Sequence, residues 1–143
     1  MEDRIVDIDE LIEDPNNARS HDKRNLDTVE KSFEKFGPFR SLAMDGDGII
    51  RAGNASLKGA KAAGVKKVRI VKGSRDELVV VQRDDIKGED ATAYAIADNR
   101  SSELAQWDLP VLDVQLQELG EYSLEDLGFS TGDMNFTIPA RAR

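Results

Sequence analysis

The sequence predicts an α+β fold, in which a compact mixed β-sheet is flanked by helices. Short runs of β-branched residues occur in residues 1–81, where they alternate with two segments of helical apolar spacing. Beyond Gly88 only helical patterns remain. The 143 residues are enough for one domain with a short helical appendix, and for a core that needs no disulfides.

Five short segments are predicted to be strands. They share β-branched or alternating apolar residues bounded by turn residues, and they cover residues 4–8, 41–44, 48–51, 67–71 and 78–81. The second and third flank Asp45-Gly-Asp-Gly48, which is similar to the start of a calcium-binding loop. The later acidic ligands and the closing Glu of such a loop are missing, so the sequence favours a plain hairpin. Gly73 and Ser74 form the turn between the last two strands.

Four segments are predicted to be helices. Their apolar residues recur at helical spacing, and they cover residues 22–36, 54–63, 91–104 and 109–119. Gly37 and Gly64 follow the first two as C-caps. The second helix is rich in small residues, so we expect it to lie close against the sheet. Ser123 and Asp126 are spaced to cap one last short turn.

The predicted domain limits follow from these elements. Residues 1–107 would form the main domain, residues 108–128 a C-terminal helical appendix and residues 129–143 a tail without periodicity. Trp107 lies at the first boundary. We interpret it as packing between the sheet and the terminal helices rather than as a platform for stacking bases.

Composition narrows the classes of function. The chain contains no cysteine, which excludes a disulfide framework, a thiolate zinc site and a thiol nucleophile. No segment approaches the roughly eighteen apolar residues that a membrane span needs. The acidic residues after Met1 are unlike the basic start of a signal peptide. We therefore expect a soluble, cytoplasmic protein.

Charge is strongly segregated along the chain. The net charge is -8, yet residues 51–75 contain eight basic residues and no acid, so the rest of the chain carries -16. The candidate DNA-binding residues of this segment are Lys58, Lys61, Lys66, Lys67 and Arg69. Two interpretations are open: the segment attracts phosphate, or its lysines only solvate helix faces and edge strands.

The junction Arg51-Ala-Gly-Asn-Ala-Ser56 joins a predicted strand to a predicted helix. The first N–H groups of a helix are unpaired and its dipole attracts anions, while Gly53 has no side chain to block close approach. Asn54 and Ser56 add short polar groups. The segment is neither a Walker A loop nor the three-glycine dinucleotide fingerprint. It therefore indicates either a phosphate site or a strand–glycine–helix turn that binds nothing.

The same region resembles the core of the ParB/sulfiredoxin-like family. Phe36-Gly-Pro-Phe39 and the run Ile49-Ile-Arg-Ala-Gly-Asn-Ala-Ser-Leu-Lys-Gly-Ala-Lys-Ala-Ala-Gly64 match that family's order of helix end, strand, glycine turn and helix. Pro15-Asn-Asn-Ala-Arg-Ser-His21 is similar to its early Asn-x-Arg motif, and Ala97-Asp-Asn-Arg100 to its later acid–Asn motif. The resemblance covers residues 4–107. It implies a nucleotide-binding domain whose relatives include partition CTPases, a free-serine kinase and sulfiredoxin.

In that family the fold binds nucleoside triphosphates. The candidate nucleotide- and phosphate-binding residues of this chain are Arg19, His21, Arg51, Gly53, Asn54, Ala55 and Ser56. Asp98 and Asn99 resemble the acid and amide that hold magnesium (Mg²⁺) in some members, and this ion prefers oxygen ligands. If the protein is a hydrolase or phosphotransferase, the catalytic residue Asp98 or Glu34 would orient the attacking group.

Three departures shape what the resemblance implies. Ala55 and Ser56 stand where partition proteins carry two arginines, so the guanidinium fork that grips phosphates is missing. The loop has no cysteine, which excludes sulfiredoxin activity. The segment after Asn99 is too short for a helix-turn-helix DNA-binding domain. The loop is more similar to stand-alone ParB-like proteins of phages and mobile elements, which implies DNA-modifying or packaging enzymes as partners.

Two other functions stay open. A non-enzymatic DNA-associated adaptor would use the basic residues between Lys58 and Arg75, and a protein-interaction module would use the helix over residues 109–119 to dock a partner or form a homodimer. Single residues have alternatives too. His21 can be a capping residue, Arg19 can form a surface ion pair, and Asp98 with Asn99 can mark a helix end.

Overall fold

The computed structural model of the protein describes residues 3–130 and 132–134. Its helices are α1 (Lys23–Phe36), α2 (Asn54–Ala62), α3 (Glu89–Leu104) and α4 (Leu109–Glu118). Its strands are β1 (Asp3–Asp7), β2 (Ile12–Glu13), β3 (Arg19–Ser20), β4 (Ala43–Met44), β5 (Ile49–Ala52), β6 (Lys67–Val71) and β7 (Gln106–Trp107). This mixture confirms the α+β class. Of the predicted tail, residues 131 and 135–143 lie outside the described part of the chain.

The strands are distributed over three small sheets. β1 pairs antiparallel with β6, and Val6 lies opposite Val68. β5 is the central strand of the second sheet, parallel to β2 and antiparallel to β4, so this sheet is mixed. The third sheet joins β3 to β7. Because β2, β3, β4 and β7 are only two residues long, the strands do not merge into the single compact sheet that the sequence predicted.

The chain divides into two compact units. One comprises Met1–Pro15 and His21–Ala105, and the other comprises Asn16–Ser20 and Gln106–Arg143. The first unit contains two of the sheets with α1, α2 and α3, whereas the second contains β3, β7 and α4. The sequence predicted boundaries after residues 107 and 128, which cut the chain into consecutive segments. In the structure, by contrast, Asn16–Ser20 from the amino-terminal part of the chain belongs to the same unit as Gln106–Arg143.

The core of the first unit is built around β5 and α2. Ile50 of β5 and Leu57 of α2 are almost completely buried, and Ile8 packs with them. Burying such side chains stabilises a fold by about 1.5–3 kcal/mol each. α2 lies close to α1 because Gly59 has no side chain: a Cβ there would lie 2.5 Å from Cγ1 of Val29. The small residues of α2 thus permit close packing against a helix.

Both ends of α1 follow from its local sequence. Asp22 Oδ1 accepts a hydrogen bond from the Asn25 N–H at 2.8 Å, which caps the amino terminus. At the other end Gly37 adopts a φ of +72°, and its N–H donates to the Phe33 carbonyl at 2.8 Å. The helix predicted over residues 22–36 is therefore confirmed.

The other helix predictions agree with the structure at their central residues. α2, α3 and α4 correspond to the segments 54–63, 91–104 and 109–119. α3 continues through Asp98 and Asn99, so the alternative of a helix end there is wrong. The predicted cap near the end is confirmed, because the Ser123 N–H donates to Asp126 Oδ2 at 2.9 Å and the Asp126 N–H donates to Ser123 Oγ at 3.1 Å.

The strand predicted over residues 78–81 is absent. Ser74 and Glu77 form an isolated bridge that closes a tight turn, but the following residues pair with no strand in the described ranges. Leu78 and Val80 are 88% and 76% exposed. β-Branched residues favour strands through packing with cross-strand neighbours, and this segment has none within the described chain.

The second unit packs β3 and β7 with α4. Leu112 and Leu116 of α4 are buried together with Ala18. Trp107 is 44% exposed, so its predicted core position is wrong. Its ring lies 5.6 Å from that of Phe129. None of the helices within residues 3–130 and 132–134 is long and apolar enough to cross a membrane.

Candidate functional site

Gly53 forms the turn between β5 and α2. Its φ of +94° lies in the left-handed region that favours glycine, and a Cβ there would lie 2.4 Å from Cδ2 of Leu42. As the N-cap of α2, Gly53 supplies no side-chain hydrogen bond to the first turn. The first N–H groups of this helix therefore depend on another group or on solvent, and a helix start of this kind attracts anions.

Asn54 is a structural residue rather than a free ligand. It is 6% exposed, and its Oδ1 accepts a hydrogen bond from the Asp14 N–H at 3.0 Å. Its Nδ2 donates to the Ile50 carbonyl at 3.1 Å. The side-chain amide thus connects the residue after β2 to β5, which corrects the prediction that it contacts phosphate. Any part of Asn54 in phosphate binding falls to its backbone N–H.

Arg51 is held by two carboxylates. Its Nε donates to Asp45 Oδ2 at 2.8 Å, and its Nη1 donates to Asp14 Oδ2 at 3.3 Å. The hydrogen bond from Arg51 lowers the pKa of Asp45 below its ordinary value, and the same bond raises the pKa of Arg51. Both oxygens of Asp45 are engaged, because Oδ1 accepts the N–H groups of Asp47 and Ile49. The predicted plain hairpin is confirmed, and Arg51 is not a free phosphate ligand.

Ala55 and Ser56 complete the first turn of α2, where both are half-buried. The Ser56 side chain forms no hydrogen bond with another residue in the described ranges. Within the predicted loop, Gly53, Ser56 and the backbone of the first helical turn are therefore the groups that no side-chain hydrogen bond of the described chain uses. The other polar side chains of the loop, Arg51 and Asn54, are used internally.

His21 contacts a buried asparagine that the sequence interpretation missed. Asn25 is 1% exposed, and its Nδ2 donates to the Ser101 carbonyl of α3 at 2.9 Å. Its Oδ1 is then the acceptor for His21 Nδ1, with which it is hydrogen-bonded. The signal in the sequence was the position of Asn25, four residues before Val29 on the apolar side of α1.

Arg19 lies in β3, in the second compact unit. Its guanidinium carbon lies 5.1 Å from the centre of the Trp107 ring, and Trp107 is its neighbour in the paired strand β7. A cation over an indole face is attracted by the ring quadrupole. The structure thus gives Arg19 a structural partner, and His21, two residues later, belongs to the other unit.

Asp98, the predicted metal and catalytic residue, is paired with Arg40. Arg40 Nη1 donates to both carboxylate oxygens, at 3.2 and 3.3 Å. Burial and the nearby charge of Asp98 raise the pKa of Tyr94. Asn99 is exposed on the following position of α3. Across residues 3–130 and 132–134, no group of three or more His, Cys, Asp or Glu side chains is arranged to hold a metal ion.

Glu34 lies on the exposed side of α1, one turn after Glu30. The pKa of Glu30 is raised above its ordinary value. The main cause is a hydrogen bond with Glu34, and burial contributes less. No hydrogen bond or ion pair in the described chain joins Glu34 to Asp98. The two predicted catalytic acids are therefore found with different partners.

The basic segment 51–75 is partly neutralised by acids from elsewhere in the chain. Lys58 Nζ lies 3.8 Å from Glu13 Oε1, and Arg69 Nη1 lies 3.7 Å from Asp3 Oδ2. Lys67 lies opposite Asp7 in the β1–β6 ladder. Lys61, Lys66, Lys72 and Arg75 are exposed, and they form no ion pair with a residue that the structure describes. The local charge seen in sequence is thus reduced in the fold.

Comparison of the chain with protein families, with curated proteins and with solved structures found no match. The likeness to ParB-like domains therefore stays a prediction from sequence motifs.

Proposed function

We propose that the protein binds a nucleotide through its phosphates at the turn between β5 and α2. The observation that carries the proposal is the start of α2 at Gly53, where a left-handed glycine leaves the first helical turn without a side-chain cap. Backbone N–H groups and the helix dipole would then meet the anion, with the Ser56 hydroxyl beside them. The motif resemblance to ParB-like domains adds the nucleoside triphosphate as the ligand class.

Arg51 would contribute only after releasing an acid. The contact of its Nη1 with Asp14, at 3.3 Å, is longer than the contact of its Nε with Asp45, at 2.8 Å. We therefore expect phosphate to displace Asp14 from Arg51. The carboxylates of Asp14 and Asp45 also repel a bare triphosphate. We therefore expect binding to be weak without a divalent cation.

Mg²⁺ is the cation that the family resemblance implies. Asp98 and Asn99 offer a carboxylate and an amide oxygen, which suits an ion that takes few protein ligands and completes its shell with phosphate and water. Arg40 would have to leave Asp98 first. In a hydrolase or phosphotransferase reaction, Asp98 or Glu34 would then orient the attacking group.

The test is a calorimetric titration of ATP, CTP and GTP, with and without Mg²⁺. Ser56→Asp places a negative charge at the third residue of α2 and should abolish binding by repelling phosphate. Ala91→Asp makes the same change at the third residue of α3, and it should leave binding intact. Acids in a first helical turn are favourable for folding, so both variants should fold. Absence of heat and of a change in melting temperature with every wild-type mixture would overturn the proposal.

A second candidate is a DNA-associated adaptor. The observation that favours it is the set of exposed lysines without an ion pair in the described chain, Lys61 and Lys66 among them. DNA affinity that falls steeply with added salt supports this function, because phosphate contacts release counterions. No affinity, or an affinity that salt leaves unchanged, counts against it. The cytoplasm is the proposed location for either function, and cell fractionation tests it.

A further inference from the structure

Residues 77–83, Glu-Leu-Val-Val-Val-Gln-Arg, contain an apolar segment without a strand partner in the described chain. Val79 and Val81 are 44% and 43% exposed, in alternation with the much more exposed Leu78 and Val80. This period of two is that of an extended strand with one side toward its own protein. No backbone hydrogen bond joins residues 78–82 to another described residue. The segment therefore offers N–H and C=O groups as well as apolar side chains.

Proteins usually protect such a segment from other strands. Lysine, proline or a bulge prevents pairing at exposed strand edges, and residues 78–82 contain no charged residue and no proline. We propose that this segment pairs with the same segment of a second copy of the chain. The two would run antiparallel about a twofold axis at Val80.

The segment is complementary to itself in this arrangement. Val80 would lie opposite Val80 of the second copy, and Val79 opposite Val81, twice by symmetry. At both ends Glu77 would lie opposite Arg83 and Arg75 opposite Asp85, so opposite charges would meet there, whereas Asp76 would lie opposite Asp84. A register shifted by two residues would instead place Glu77 opposite Val81 and lose these charge pairs. At each end two attractive pairs thus oppose one repulsive pair, and this balance favours a second copy as the occupant in this register.

Arg83 is held in place at the end of the segment. Its Nη1 donates to the Pro38 carbonyl at 2.7 Å, and its Nε and Nη2 donate to Asp85 Oδ1 and Oδ2 at 2.8 and 2.6 Å, so its charge is already paired within the chain. One N–H of Nη1 and one N–H of Nη2 are left to donate to Glu77 of the second copy. A guanidinium that is already ordered loses little further freedom when it meets Glu77 of the second copy. The anchored arginine therefore favours pairing at a defined position along the chain.

The first test is sedimentation velocity of the full chain at concentrations from about 5 to 500 µM, a range that brackets weak and small interfaces. The wild-type chain should shift toward twice its 15.8 kDa mass as concentration rises. Val80→Lys would place two lysines opposite each other and should remain monomeric. Val114→Lys is the matched control, because Val114 is a 54% exposed valine on α4. It should dimerise as the wild type does.

The second test uses the absence of cysteine from the chain. Val80→Cys should form an intermolecular disulfide rapidly under mild oxidation, because Cα atoms of directly opposed residues lie about 4.5–5.5 Å apart, within disulfide range. Val114→Cys should cross-link far more slowly at the same concentration.

Three results would overturn the proposal. One is a wild-type chain that stays monomeric throughout the range. Another is a dimer that survives Val80→Lys, and the third is a dimer lost with Val114→Lys, which would place the contact on α4. Circular dichroism of both lysine variants checks that they fold, which the exposure of the two valines leads us to expect.

Discussion

Two asparagines, Asn25 and Asn54, show how single residues position the candidate site. Both are buried, and the side-chain amide of each donates to a backbone carbonyl while its oxygen accepts a hydrogen bond. A buried amide is tolerated only when such partners are present. These side chains therefore hold α1 to α3 and the residue after β2 to β5. Polar character alone, which made Asn54 a predicted ligand, does not distinguish a structural amide from a binding one.

Asn25→Leu is expected to destabilise the protein by about 1–3 kcal/mol, because the Ser101 carbonyl loses its buried donor and His21 loses its acceptor. The measurement is the free energy of unfolding in urea. Asn99→Leu, an exposed asparagine on α3, is the control and should change that free energy by about 0.5 kcal/mol or less. Equal effects of the two changes would contradict the structural role of Asn25.

Asp45→Asn is expected to strengthen nucleotide binding. Asn keeps the Oδ1 acceptor for the N–H groups of Asp47 and Ile49, so the hairpin turn is preserved. It removes the Oδ2 acceptor and the charge that hold Nε of Arg51, so that phosphate has only to displace the longer contact of Arg51 with Asp14. Calorimetric titration with the best nucleotide should give a several-fold lower Kd. Weaker binding would show that the Asp45–Arg51 pair supports the site rather than competing with it.

At the scale of elements, the contact between α1 and α2 depends on Gly59. A methyl group there would meet Val29 Cγ1 at 2.5 Å and the Glu30 backbone nitrogen at 3.2 Å. Glycine within a helix costs about 1 kcal/mol relative to alanine. The close approach of α1 and α2 therefore outweighs the low helix propensity of glycine, which taken alone would disfavour Gly59 within α2.

Gly59→Ala is expected to destabilise the protein by about 1–3 kcal/mol, since overpacking exceeds the gain in helix propensity. Thermal unfolding by circular dichroism measures the effect. Val29→Ala in the same chain removes the Cγ1 that clashes, so the double variant should lose less than the sum of the two single changes. Strict additivity would contradict a direct contact between these residues.

At the scale of the whole molecule, acid stability depends on paired carboxylates. Hydrogen bonds from Arg51 and Arg83 lower the pKa values of Asp45 and Asp85 below the ordinary 3.8. Such groups stabilise the fold above pH 3.8, and their contribution is lost as pH falls through the lowered pKa. Glu30 has the opposite effect on stability, because its pKa in the folded protein is raised. Its ionised form destabilises the folded state above pH 4.5, its ordinary pKa, and protonation at lower pH removes this destabilisation.

The pH prediction is checked with Asp45→Asn and urea unfolding between pH 2 and 7. The variant should be less stable than the wild type at neutral pH, because the ion pair with Arg51 is lost. The difference should shrink as pH falls below the ordinary 3.8 and Asp45 of the wild type becomes protonated. A difference that is independent of pH would contradict this account.

Local signals in the sequence determined much of this protein. Apolar spacing, Asp22, Gly37 and the hairpin at 45–48 act over a few residues, so α1 and the β4–β5 turn could be predicted directly. The same holds for the α+β class and for Gly53 at the start of α2. Tertiary structure decided the rest, because it alone chooses long-range partners. It placed Arg51 between Asp14 and Asp45, buried Asn54, left residues 78–81 without a strand partner in the described chain, and set acids beside the basic segment.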